Sequence, residues 1–155
     1  MALQTAWVRA ESHWLNIVVK STIALCIVST AGCANKTQEC NRVIAVLNKS
    51  GDSINSASAK LGGDANNITS WEEIASAMDS AADNVKKVES KDADLRDLAK
   101  QYEDMLRNGA KSARDFVKAT KDGDLPGIDK ASGEIGLVKT TEAAIVDKVN
   151  TYCSK

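Results

Sequence analysis

From Cys40 onward the apolar positions recur at helical spacing. Cys40, Ile44, Leu47, Gly51, Ile54, Ser58 and Leu61 advance in steps of four and three, with Val43 and Ala57 beside the seam. That spacing predicts a helix over roughly Gln38 to Leu61 with one apolar face. Gly62-Gly63-Asp64 ends it, because paired glycines accept the left-handed conformations that side chains resist. Trp71, Ile74, Met78, Ala81, Val85 and Val88 resume the period, while Glu72, Asp79, Asp83 and Lys86 fall on other faces. Ser70-Trp71-Glu72-Glu73 reads as a capping box, the serine oxygen accepting from the N3 amide and Glu73 reaching back to the cap amide. The second helix then runs to about Glu89.

Ser90-Lys91-Asp92-Ala93-Asp94 breaks the period with two candidate caps, Ser90 and Asp92. Leu95, Leu98, Tyr102, Met105, Gly109, Phe116 and Thr120 form the next stripe, thickened by Leu106, Ala113 and Val117, and predict the longest helix, ending near Lys121. Asp122 to Gly127 reads as a turn, with glycines for positive φ and Pro126 for a fixed one. Ile135, Val138, Ile145, Val149 and Tyr152, flanked by Leu137, Val146 and Cys153, predict a fourth helix from about Asp129 or Ser132. Gly133 and Gly136 either weaken its first turns or let a neighbouring helix approach closely. Four amphipathic segments with short connections predict an all-α, up-down-up-down four-helix bundle.

Ahead of the bundle lies a different pattern. Lys20 precedes a short apolar run, Ser21 to Thr30, and Thr30-Ala31-Gly32-Cys33 gives way abruptly to polar Ala34-Asn35-Lys36-Thr37. A charge, a short apolar segment and small residues form the layout of an export signal, and the run is too short for an ordinary membrane span. Thr30-Ala31-Gly32-Cys33 in that place resembles the lipobox of bacterial lipoproteins. The resemblance implies a signal peptide over residues 1–32, cleavage before Cys33, acylation of Cys33 and a tether over residues 33–37. The helical domain then spans residues 38–155. Two or three acyl chains hold firmly, at roughly 0.8 kcal/mol per buried methylene. Ala34, where aspartate retains such proteins in the inner membrane, implies the outer membrane in a cell that has one. Trp7, Glu11, His13 and Trp14 are odd company for a signal, and initiation at Val19, read as Met, would give a compact one. The other readings of this region are an uncleaved anchor helix over Trp14 to Val28 and a buried core helix.

Under the lipoprotein resemblance the four cysteines sort themselves. Cys26 leaves with the signal, Cys33 carries lipid, and Cys40 and Cys153 remain as a pair in an oxidising compartment, which implies a disulfide. Two free buried thiols are the alternative. In the up-down topology the start of the first helix and the end of the fourth lie at one end, where these two cysteines fall.

Composition narrows the function. Removing residues 1–32 leaves 18 basic and 20 acidic residues, which is no nucleic-acid footprint. The one histidine, His13, precedes Cys33, so a domain beginning there holds no His-based acid–base pair, triad or usual zinc ligand set. No metal site, cofactor or catalytic residue is expected. Glu72-Glu73, Asp92 with Asp94, and Glu103-Asp104 are carboxylate pairs on helical faces and at caps, where solvation is their ordinary role. Trp71 is either a core residue, since the seam passes through it, or an exposed anchor for a partner. The many Ala and Ser residues of the first two helices permit close helix approach. The expected protein is a lipid-anchored, extracytoplasmic, non-enzymatic binding or envelope-structural module contacting the membrane and an envelope protein partner. The distal loops, Gly62 to Thr69 and Asp122 to Ile128, are its candidate contact sites. A small-ligand sensor or carrier using the bundle interior is the alternative.

Overall fold

A computed structural model describes residues 31–62 and 67–155, with side chains from residue 35. The described residues form four helices: α1 (Ala31–Ala59), α2 (Ile68–Lys86), α3 (Ala93–Asp122) and α4 (Leu125–Cys153). They run up, down, up and down, and a disulfide joins Cys40 near the start of α1 to Cys153 at the end of α4. Residues 1–30 of the predicted signal region, with the alternative start at Val19 and His13, and the side chain of Cys33 lie outside the described residues. The backbone of Cys33 belongs to α1, which begins at Ala31 rather than Gln38.

The helical period places the core. Leu95, Leu106, Tyr102, Val43, Val85 and Val149 are fully buried, each on a stripe that packs against its chain neighbours. Helix α3 is central, packed along both α2 and α4. Its small buried residues Ala99, Gly109, Ala110 and Ala113 let both come close. At Gly109 a Cβ would sit 2.9 Å from the Met78 sulfur and 3.1 Å from a Val138 methyl, so the bare α-carbon is what those two side chains pack onto. Two polar links pin α4 to α3: the buried Tyr102 hydroxyl donates to Glu142 Oε1 at 2.8 Å, and Ser112 donates to Glu134 Oε2 at 2.8 Å. Helix α1 packs along α2 and meets α3 and α4 only sparingly.

Helix ends show where tertiary structure overrides local reading. The cap of α2 is Asn67, whose side chain accepts from the Ser70 amide at 3.2 Å. Ser70, expected as the cap, lies inside the helix, buried, and donates to the Lys60 carbonyl. Glu73 turns outward to Lys60. Of the two expected caps, Asp92 rather than Ser90 starts α3, accepting from the Asp94 and Leu95 amides. It ends at Gly123, in the left-handed region at φ 68°, where the Asp124 amide donates to the Ala119 carbonyl.

The turn that follows is shorter than expected. Pro126 opens α4 instead of making a loop, a position where its missing amide costs nothing. Gly127 permits the tight corner, since a Cβ there would run into the Asp124 carboxylate and the Ala119 methyl. Helix α4 continues unbroken through Gly133 and Gly136, and neither faces any neighbour within 4 Å. Among the described residues no helix packs closely onto those glycines. Leu137, expected beside the seam, is 64% exposed.

Candidate functional site

The disulfide end is a built junction. Glu39, one residue before Cys40, is buried, and its Oε2 accepts from the Ser90 hydroxyl and from the Lys91 and Asp92 amides at 3.0 and 3.1 Å. Asp92, besides capping α3, accepts from the Tyr152 hydroxyl at 2.5 Å, and the Lys36 ammonium lies 4.3 Å from the centre of the Tyr152 ring. One short connection, Ser90 to Asp92, thus receives α1 through Glu39 and α4 through Tyr152, beside the Cys40–Cys153 bond.

The electrostatics follow from those contacts. The Ser90 hydroxyl, helped by the two amides and the Arg42 charge, holds Glu39 below the usual carboxylate range. The Tyr152 hydroxyl, then the Leu95 and Asp94 amides, do the same for Asp92. The Asp92 carboxylate in turn pushes Tyr152 up to about 12. Burial, then the Glu142 charge, raises Tyr102 strongly.

The opposite end gathers the other expected residues. Trp71 is half-buried, its ring 5.0 Å from that of Phe116 and tilted by 50°, so it belongs to the edge of the core. Glu72 pairs with Lys121 and Glu73 with Lys60, both at the surface. Glu103 is buried and bonded to Arg107, and Asp104 pairs with Lys100. Each of those carboxylates is engaged in an ion pair, and Asp92 is engaged as a cap. Among the described residues no three His, Cys, Asp or Glu side chains converge on a metal position. None of the described helices is long and apolar enough to cross a membrane. The Gly62 to Thr69 loop lies partly outside the described residues. In the second expected loop only Gly123 and Asp124 stand between helices, and Leu125, 72% exposed, is the apolar side chain presented there.

Sequence reasoning missed a groove. It runs between α1 and α2, from Arg42 and Lys87 near the disulfide end to Lys60 and Glu73 at the other, in two stretches that share Ser53. The stretch nearer the disulfide has a volume of about 630 Å³. Its floor is small, with Ala45, Ser50, Ser53 and Ala81. The abundance of Ala and Ser in the first two helices was its one signal, but it does not reveal that this face is open among the described residues. Comparison of the chain with protein-family models, curated proteins and solved structures gives no match.

Proposed function

We propose that the protein is a lipid-anchored, extracytoplasmic binding module without catalytic activity, held to a membrane through acylated Cys33. The observation that carries this reading is the Cys40–Cys153 disulfide. Disulfides form and persist in oxidising compartments, where an export signal would deliver the chain. The same bond leaves Cys33, on α1 two turns ahead of Cys40, as the residue at which the lipobox pattern ends. Cleavage before Cys33 would remove only Ala31 and Gly32 from α1. The anchor would then sit beside the disulfide junction, and the end bearing Trp71 and Leu125 would point away from the membrane. Tethering acts by effective concentration: acyl chains keep the bundle near its envelope partners, so modest contacts suffice.

Intact-mass analysis of protein extracted from membranes tests this. The expected mass starts at Cys33 plus acyl chains, with Cys40 and Cys153 open to alkylation only after reduction. An unprocessed chain, or one without acyl mass, overturns the reading.

A further inference from the structure

The groove between α1 and α2 carries its charge unevenly along its length. Its stretch nearer the disulfide is basic, with Arg42, Lys49 and Lys87 against one carboxylate, Glu89, whereas the far stretch sets Lys60 beside Glu72 and Glu73. None of Arg42, Lys49 and Lys87 forms an ion pair within the described part of the molecule, as is also true of Lys86, Lys91 and Lys130 elsewhere on the surface. The floor carries a second anomaly. Ser50 is only 3% exposed, and its hydroxyl enters none of the side-chain hydrogen bonds of the described residues. Among the described residues no fully occluded side-chain oxygen lacks a partner, so the Ser50 hydroxyl keeps a sliver of accessible surface, and the groove it lines is where that surface opens. A hydroxyl with so little access to solvent is poorly served by water, and a docked polar group would serve it better.

We infer that this groove receives an acidic amphipathic helix of a partner protein, laid lengthwise between α1 and α2. Length argues for a helix. From Arg42 to Ser53 the basic stretch follows α1 for about 17 Å at the helical rise, roughly three turns, and a small anion would occupy a fraction of that. The floor argues for it too, because Ala and Ser allow a third helix axis to approach to about 8 Å. The carboxylates of the incoming helix meet Arg42, Lys49 and Lys87, its small apolar face covers Ala45, Val46 and Ala81, and Ser50 gains a protein partner. A membrane surface fits poorly, because the groove climbs the side of the bundle and a flat bilayer against its end cannot reach Ser50 or Ser53. The inference deepens the binding-module reading and rests on it, but it does not depend on acylation.

The test uses the full chain in detergent and a synthetic helix of about 18 residues, with Ala and Leu on one face and Glu on the other. The expected result is saturable shifts of the backbone amides of Ala45, Ser50, Ser53 and Ala81. Arg42→Glu together with Lys87→Glu should weaken binding by about tenfold or more. Both side chains are exposed, so the fold is expected to survive. Ser53→Trp, which fills the groove without altering charge, should abolish the shifts. The inference is overturned by absence of shifts at millimolar peptide or by equal binding of the Lys-for-Glu peptide. Shifts confined to the Trp71 end, or the same shifts from phosphatidylglycerol vesicles or free glutamate, overturn it as well. Loss of acylation in the mass measurement would leave this result untouched, so the two readings fail separately.

Discussion

Gly109 and Gly133 are the same residue type inside helices, and they should respond oppositely to alanine. Replacing an exposed helical glycine gains about 1 kcal/mol of backbone entropy and propensity. At Gly133, where no atom lies within 4 Å of the new methyl, that gain stands alone, and Gly133→Ala should raise the urea midpoint. At Gly109 the methyl meets the Met78 sulfur and Val138. The thioether can swing aside, but β-branched Val138 cannot, and overpacking of this kind costs about 1–3 kcal/mol. Gly109→Ala should therefore destabilise, and adding Val138→Ala should relieve the clash at the cost of some apolar contact. Titration works at the same scale. Tyr152 keeps its proton to about 12 in the folded chain, whereas an unfolded tyrosine loses it near about 10. Its contribution is therefore complete below the lower value and disappears as pH rises through the higher one. Glu39 and Asp92 are depressed, so their contribution is present above the usual carboxylate range and lost as pH falls through their folded values. Denaturant melts across pH should show both arms, with Tyr152→Phe flattening the alkaline arm and Glu39→Gln the acid one.

Helices as units were legible from spacing, while their ends were legible only in part. The stripe through Leu95, Leu98, Tyr102 and Met105 is buried as its period requires, because α3 has a neighbouring helix on either side to cover it. The start of α2 is different. Asn67, Thr69 and Ser70 all have capping chemistry, and the choice fell to Asn67 because Ser70 is needed for the Lys60 carbonyl at the end of α1. Asn67→Ala should cost about 1 kcal/mol, whereas Glu73→Gln, which loses only an exposed ion pair, should change the melting midpoint little. Pro126 misleads in the same way, since a proline that suits a turn also suits the first turn of a helix. The groove was hidden for a further reason. Serine and alanine carry no periodic signal, so the open face between α1 and α2 emerges only once the helix positions are known.

The whole molecule is held unevenly. Helices α2, α3 and α4 pack as successive neighbours, while α1 leans on α2 and is joined to α4 chiefly at the Cys40–Cys153 bond. Closing a loop with a sequence separation of 113 residues stabilises by about 4–5 kcal/mol in the chain-entropy model. Reduction should therefore lower the thermal midpoint, and hydrogen exchange followed by mass spectrometry should show α1 losing protection first. Equal loss across α2 and α3 would count against this picture. The bond has a mechanical consequence as well. Cys40 and Cys153 turn everything between them into a covalent ring, so a pull on the two chain termini passes from sulfur to sulfur and bypasses the helices. Under tension the oxidised protein can lengthen only by the segments outside the ring. A stretching experiment should find the bundle inextensible until a reductant opens the bond and lets the whole ring pay out.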